Sequence, residues 1–441
     1  QASAQAMARR KSASGSSLPA KRIRQTPPEW CQLLGEKCLQ GELLDKRVLA
    51  VPALLRSACG KTCVRSPQTP AAEVLYVDAM QQLSEFFKSR CGMVLGGRKV
   101  FAHFEQWLWA RRAAMYKVKK LRSRLESGPV PVLPAGAIAE RDPSLQRKLV
   151  KAGLTQRDAR QNCRDLGRYA RELAHKLRRS LEEARHKHHQ DAVRTEVQQP
   201  PRAQTGLPSM MHLHYRNTQL SCTVEHWEKL RTLYMANADE HAGSLKQRGR
   251  SGAADAAFKA AGFCVLARLH ALQGAEHKGG GMQAAVHADV FNILQDDFGC
   301  VAECFASPIN CRWQKFCSAS VDVDAPFGSL GSFFSFEPQK GCYEANPPFD
   351  ASVIRRMAIR MQKLLSKAEK EQQALAFIVI VPSWPEAPCW KKLHASPFLR
   401  YEVHIPQSEH GYFDGAQHAR PQRYRHSNHD TTVFILQSAA A

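Results

Sequence analysis

Residues 342–381 read CYEANPPFDASVIRRMAIRMQKLLSKAEKEQQALAFIVIV. The stretch divides into three parts. Residues 343–345 are a short strand, 352–371 a helix, and 375–381 an apolar, partly β-branched run suited to the centre of a parallel sheet buried on both faces. A strand–helix–strand unit of this kind predicts an open α/β sheet, and such sheets bind ligands at the C-terminal ends of their strands. Asn346-Pro347-Pro348-Phe349 stands at that end of the first strand.

The chemistry open to this tetrapeptide is narrow. An exocyclic amino group is a poor nucleophile while its lone pair is delocalised into a ring. An amide oxygen and a backbone carbonyl, held rigidly, accept its two hydrogens and localise the lone pair on nitrogen. Asn346 supplies the first acceptor, and the carbonyl of Pro347 the second, since proline has a C=O and no competing N–H. The prolines fix the backbone, and Phe349 offers a face for stacking on a base. Amino-methyltransferases acting on adenine, cytosine or glutamine need this arrangement. Taken alone, the motif leaves open a Pro-Pro turn that merely ends a strand.

The flanking sequence narrows the choice. Residues 301–305 form a strand followed by small residues, Ala306 and Ser307, where the chain turns close to a cofactor; the segment 303–310 reads ECFASPIN and replaces a glycine-rich dinucleotide turn. Asp322 and Asp324 follow, either of them an acceptor for ribose hydroxyls or a simple turn carboxylate. Phe333, Phe334 and Phe336 read as core. Residues 400–405 and 431–436 complete the strands. A cofactor loop, an acidic residue and N-P-P-F at successive strand ends are the order of an S-adenosylmethionine-dependent amino-methyltransferase. The predicted fold is therefore a Rossmann-like sheet with helices on both faces over residues 300–441, preceded by a mainly helical domain.

Upstream, residues 1–28 read as a disordered basic tail, poor in large apolar side chains. Its clusters Arg9-Arg10-Lys11 and Lys21-Arg22-Ile23-Arg24 suit a nuclear import signal, a phosphate-binding arm or mere solubility. Residues 29–208 read as helices over 76–90, 100–125 and 156–189, closed by a linker over 196–208. In the last helix Leu166, Tyr169, Leu173, Leu177 and Leu181 form one apolar stripe, with Arg and Lys over much of the remainder. Residues 209–299 read as a helical substrate-binding region, with helices over 223–237, 253–272 and 287–298 and glycine stops at Gly274 and Gly299.

The 441 residues carry a net charge of +23, which points to a polyanionic partner, nucleic acid first and anionic membrane surface second. No apolar run is long enough to span a bilayer, so an integral membrane protein is not expected; the first residues show no apolar signal-peptide core. The 14 cysteines include no CxxC pair, although Cys59 and Cys63, and Cys300 and Cys304, lie four apart. They read as reduced thiols, several of them core. His212 and His214 read as a strand or loop surface; His186, His188 and His189 read as a basic helix end. No metal site is predicted.

Residues 300–437 resemble the catalytic domain of the cap-specific adenosine N6-methyltransferases, the phosphorylated-C-terminal-domain-interacting factors. The resemblance rests on ECFASPIN (303–310), FGSLGSFF (327–334), EANPPF (344–349), FIVIVPSW (377–384) and EHGYFDGAQH (409–418), and more weakly on the helical stretch 227–283. It implies S-adenosyl-L-methionine-dependent N6-methylation of the first transcribed adenosine beside an m7G cap on mRNA, in the nucleus. Asn346 to Phe349 would hold the adenine. Glu303, Phe305, Ala306, Ser307, Pro308, Asn310, Asp324, Phe327 and Gly328 would surround the cofactor. Trp384 is a platform for a base, Arg420, Arg423 and Arg425 a grip for the triphosphate, and His410 and Gln417 pocket walls. Arg268 and Gln283 are further substrate positions. The family's acidic pair after N-P-P-F is here Asp350-Ala351-Ser352, which leaves Asp350 for the cap. No WW-domain signature stands in the chain, so WW-mediated binding to a polymerase tail is not supported. Two other functions fit the same residues: a DNA or internal-RNA adenine methyltransferase, and a non-catalytic RNA-binding protein on a methyltransferase scaffold.

Overall fold

A computed structural model describes residues 55, 68–96, 100–116, 118, 133–134, 140–186, 191–200, 207–237, 251–274, 281–420 and 423–441. The basic tail 1–28, Cys59, Cys63, His188 and His189 lie outside them.

Four helices form the first layer: α1 (Pro70–Cys91), α2 (Val100–Met115), α3 (Pro143–Lys151) and α4 (Gln156–His186). Thr69 and Asp142 cap α1 and α3 through side-chain oxygens that accept free first-turn N–H groups. Leu83, Phe104, Leu149, Leu166, Leu173, Leu177 and Leu181 share one buried cluster, so the predicted stripe on α4 is core. Tyr169 stacks on Phe86, with centroids 4.2 Å apart. The helix expected over 100–125 ends at Met115.

Next comes a three-stranded antiparallel sheet, β1 (Arg194–Gln198), β2 (Met210–Tyr215) and β3 (Thr218–Thr223), in the order β1-β2-β3. It corrects two expectations. The stretch 196–208 begins inside β1, which pairs with β2 across it, Arg194 opposite His214. The region 209–299 opens on a β-hairpin rather than on helices. The strands are short and half of each is polar. Met211, Leu213 and Tyr215 point inward while His212 and His214 alternate with them, a period-two pattern easily lost in a polar stretch. Helices α5 (Val224–Ala236) and α6 (Ser251–Gln273) follow, then a single 3₁₀ turn (Gly281–Gln283) and α7 (Ala288–Asp296). Gly274 and Gly299 end their helices with φ of 79° and 63°, as glycine allows and a side chain resists.

The remaining elements are β4 (Cys300–Ala306), β5 (Phe316–Ser318), α8 (Val321–Asp324), β6 (Gly341–Ala345), α9 (Ala351–Lys370), β7 (Leu375–Pro382), α10 (Pro388–His394), β8 (Leu399–Ile405), β9 (Gly411–Phe413), β10 (Tyr424–His426) and β11 (Thr431–Gln437). Six of the strands form one sheet in the order β5-β4-β6-β7-β11-β8. The first four run parallel, and β11 is antiparallel to both its neighbours. Along β6 and β7 alternate residues face opposite sides, while β4 shifts register between Cys300 and Glu303. Cys304, Tyr343, Ala345, Phe377 and Val379 pack on Ile354, Met357, Met361 and Leu365 of α9. Cys300, Cys342, Ile378 and Ile380 pack on Val290, Phe291 and Leu294 of α7. Each such large apolar side chain contributes roughly 1.5–3 kcal/mol on burial. A mixed sheet with a parallel half, covered by helices on both faces, is consistent with the Rossmann-like expectation. No helix among the described residues is long and apolar enough to cross a membrane.

Candidate active site

The motif 346–349 leaves the C-terminal end of β6 beside the loop that leaves β4. The Asn346 side chain is fixed by one bond: its Nδ2 donates to the carbonyl of Ala284, 3.2 Å away. A carbonyl only accepts, so the amide nitrogen must face Ala284 and Oδ1 is the atom free to accept elsewhere. The carbonyl of Pro348 accepts the N–H of Asp350 at 2.7 Å, which closes the turn into α9. Asp350 is buried as the N-cap of α9; its Oδ1 accepts from Ser352 N at 2.9 Å and Val353 N at 3.2 Å. The role expected for Asp350 in holding a cap is thus replaced by helix capping.

The loop after β4 is held from three directions. Asn310 Oδ1 accepts from the backbone N–H (2.7 Å) and hydroxyl (2.8 Å) of Ser307, while Asn310 Nδ2 donates to the Gln283 carbonyl at 2.9 Å. The buried Lys229 ammonium on α5 donates to the carbonyls of Ile309 (2.8 Å) and Cys311 (2.6 Å). Glu303 accepts from the N–H groups of Arg312 (2.8 Å) and Trp313 (3.3 Å). Burial pushes the Glu303 carboxyl up to about 7 against the pull of those N–H donors. Glu303 therefore shapes the loop from behind and does not line the cleft.

That cleft lies between the sheet and the helical layer. With its open mouth included, it encloses about 900 Å³. It brings together Asn346 and Pro348 of the motif, Phe305, Ala306, Ser307 and Asn310 of the loop, Asp324, Arg268 and Gln283. Burial raises the Asp324 carboxyl to about 7, opposed by a hydrogen bond from Ser318. Phe333 and Phe334, read as core, also reach the wall. Arg268 is almost wholly engaged. Its guanidinium spans both carboxylate oxygens of Glu73 (3.0 and 2.7 Å) and both of Asp322 (2.9 and 2.8 Å), with its charge 4.7 Å over the Tyr76 ring. Gln283 accepts from Gln273 at 2.6 Å through its side chain.

Other expected positions fall outside the cleft lining. Pro308 and Pro347 are buried. Phe327 is fully buried, 5.7 Å from the Tyr234 ring. Gly328 has φ +105°, and a Cβ there would stand 2.1 Å from the Gln314 carbonyl, so its glycine serves the backbone. Phe349 turns to a separate aromatic group, 5.7 Å from Tyr412 and 5.3 Å from His429. Trp384 packs half-buried on the core under α9 and α10.

The segment 409–418 is a buried seam rather than a pocket wall. His410 bonds the Pro406 carbonyl and the Thr431 hydroxyl, both at 2.8 Å, and burial holds its ring below the usual histidine range. Gln417 is buried and bonded to His226. The three arginines offered for the triphosphate have carboxylate partners: Arg420 and Arg425 on the buried Asp414, Arg423 on Glu225 at 2.7 Å. Asp414 pairs with two of them, which a reading of charge alone misses.

The cleft also has a wall that motif reading overlooked. Trp109, Arg112, Ala113 and Tyr116 come from α2 and its end, and Met282 and Ala284 from the turn before α7. Arg112 donates to the Ala319 carbonyl at 2.7 Å and ties the helical layer to the loop after β5. The signal was in the sequence: α2 reads VFAHFEQWLWARRAAM, with no fully polar face, and even Glu105, Arg111 and Arg112 are buried. No group of His, Cys, Asp and Glu among the described residues is placed to hold a metal, and the described cysteines are free and buried.

Residues 229–415 match the family model described as phosphorylated CTD interacting factor 1 WW domain. The chain is similar to the mRNA (2'-O-methyladenosine-N(6)-)-methyltransferases of Mus musculus, at 37% identity, and Homo sapiens, at 36%, each over 181 residues. The aligned part is 40% of this chain and 25% of either relative, so the chain spans about a quarter of the length of the curated relatives it matches. By these matches, residues 229–415 are similar to the phosphorylated CTD interacting factor 1 family.

Proposed function

We propose that the protein is an S-adenosyl-L-methionine-dependent RNA methyltransferase acting on N6 of the first transcribed adenosine beside an mRNA cap. The observation that carries this is the meeting of Asn346 and Pro348 with the β4 loop and Asp324 in one cleft. The residues present fit the methyl donor. Asp324 presents a buried carboxyl suited to ribose hydroxyls. The indole Nε1–H of Trp109 is buried in the wall without a partner, a donor left over by the protein itself. Phe305, Ala306, Ser307, Asn310, Asp324 and Trp109 are the residues that would hold it; bound there, it supplies an electrophilic methyl group on a sulfonium.

The chain's own part is positioning and electrostatics. Asn346 Oδ1, oriented by Ala284, accepts one hydrogen of the adenine amine. A backbone carbonyl of the motif accepts the other, which localises the nitrogen lone pair. No strong base is required, since the proton leaves after nitrogen becomes cationic. A terminal nucleotide is unpaired, so extruding its base costs little.

The names of the relatives support a 2'-O-methylated adenosine as the acceptor. The basic clusters at Arg9-Arg10-Lys11 and Lys21-Arg22-Ile23-Arg24, outside the described residues, support nuclear action as part of the same proposal. The test is methyl transfer from labelled donor to otherwise identical oligonucleotides: capped and beginning with A, capped and beginning with G, and uncapped beginning with A. Incorporation confined to the first supports the proposal. Equal incorporation into capped and uncapped A favours a DNA or internal-RNA adenine methyltransferase instead.

A further inference from the structure

Helix α4 has a second face that the proposed reaction does not use. Leu166, Leu173, Leu177 and Leu181 bury one side. Opposite them Arg157, Arg160, Arg164, Arg168, Arg171, His175 and Arg178 are all exposed. Their spacing is 3, 4, 4, 3, 4 and 3 residues, which keeps every one on a single row of the helix. At 1.5 Å per residue the row is about 32 Å long. Two of its arginines have acidic neighbours: Arg168 lies 3.7 Å from Asp165, and Arg171 pairs with Glu140. Arg157, Arg160, Arg164 and Arg178 form no ion pair among the described residues. The acidic side chains of the helix, Asp158, Asp165 and Glu172, repeat every seven residues along one flank and leave the row itself cationic until Glu182.

A row of solvated guanidinium groups at this repeat is costly in mutual repulsion and contributes nothing to packing. It complements a linear polyanion. No exposed aromatic interrupts it, so it would bind backbone phosphates without reading bases. We propose that this row is a track for single-stranded RNA, holding the transcript downstream of its first nucleotide. The inference rests on the proposed function for the identity of the polyanion. The helix lies outside the family match, which begins at residue 229.

The experiment compares the full chain with a variant carrying Arg157→Gln, Arg160→Gln, Arg164→Gln and Arg178→Gln, and with its all-lysine counterpart. Binding of an uncapped single-stranded RNA is measured across salt. Methylation is measured on a capped dinucleotide and on a capped RNA long enough to span the row. The glutamine variant is expected to lower the slope of log K against log salt by about 3, or ~0.7 for each phosphate it no longer neutralises. It should raise KM for the long RNA at least tenfold and leave the dinucleotide reaction unchanged. The lysine variant keeps the slope. An unchanged slope in the glutamine variant, or equal loss in the lysine variant, overturns the track. So does weakened binding to phosphatidylserine vesicles with RNA binding intact, which would make the row a membrane contact. A wild-type chain that binds RNA with the steep slope but methylates neither RNA refutes the proposed function and leaves the track standing.

Discussion

Replacing Arg268 with methionine tests whether this arginine is a structural knot or a ligand contact. It sits on α6 and is 3% exposed, while its partner Glu73 on α1 is fully buried. Four charge-assisted hydrogen bonds, none longer than 3.0 Å, join it to Glu73 and to Asp322 of α8. The Arg268 charge holds the Asp322 carboxyl below its ordinary range, against burial that pushes it up. Methionine keeps much of the volume and removes all four donors. Two carboxylates then face each other without a cation. Breaking a buried pair in this way costs ~3–5 kcal/mol, whereas removing every member of such a group is close to neutral. Urea unfolding followed by circular dichroism should therefore show a large loss for Arg268→Met, and recovery when Glu73→Gln and Asp322→Asn are added.

The pH dependence gives a second readout of the same substitution. Burial already raises the Glu73 carboxyl to about 7 with Arg268 in place; without Arg268 that value rises further, and burial lifts Asp322 above its unfolded value as well. The stability they contribute is then present at low pH and lost as pH rises. The deficit of Arg268→Met should shrink at about pH 5 relative to neutrality. A deficit of less than about 1 kcal/mol at neutral pH, or one that ignores pH, contradicts this reasoning. Unchanged stability with loss of RNA affinity alone would return Arg268 to the substrate-binding role that sequence suggested.

Three further outcomes follow from the same geometry. Gly328→Ala places a Cβ 2.1 Å from the Gln314 carbonyl at φ +105°, and should lower the unfolding midpoint by more than the ~1 kcal/mol of an ordinary glycine exchange, with donor affinity retained in the folded fraction. Asp350→Ala removes the N-cap of α9 and should cost ~1 kcal/mol, whereas Asp350→Asn keeps most of it; a selective loss of capped over uncapped RNA in both would restore the cap-binding reading. The carboxyl of Glu303 has its folded value raised from 4.5 to about 7, so its contribution is complete below about 4.5 and fades as pH rises through about 7. Glu303→Gln still accepts from Arg312 and Trp313. It should match the wild type in acid and exceed it by up to about 3 kcal/mol above neutrality, as melting across pH will report.

Where one physical signal dominated, the sequence was readable. The run 375–381 is apolar at every position because β7 is covered on both faces, and it emerged as a central strand. Asn346 stood out because prolines follow it. The β2–β3 hairpin was obscure because its strands are short and half polar. Above all, pairing decides what a charged side chain is free to do. Arg420, Arg423 and Arg425 resemble a phosphate grip until Asp414 and Glu225 appear beside them from elsewhere in the fold. Asp350 resembles a cap ligand until the first turn of α9 claims it. Trp109 and Arg112 stand more than 230 residues before the motif they face, and no local pattern joins them to it.

Single-turnover methyl transfer by Asn346→Ala, with donor affinity measured separately, bears most directly on the central claim. The bond from Asn346 Nδ2 to the Ala284 carbonyl leaves Oδ1 as the free acceptor, which the proposed reaction directs at the adenine amine. Removing a preoriented group of this kind should lower the rate about 100-fold or more on the capped RNA beginning with A, and leave donor affinity within a few-fold of wild type. A variant that transfers methyl at the wild-type rate would contradict the account.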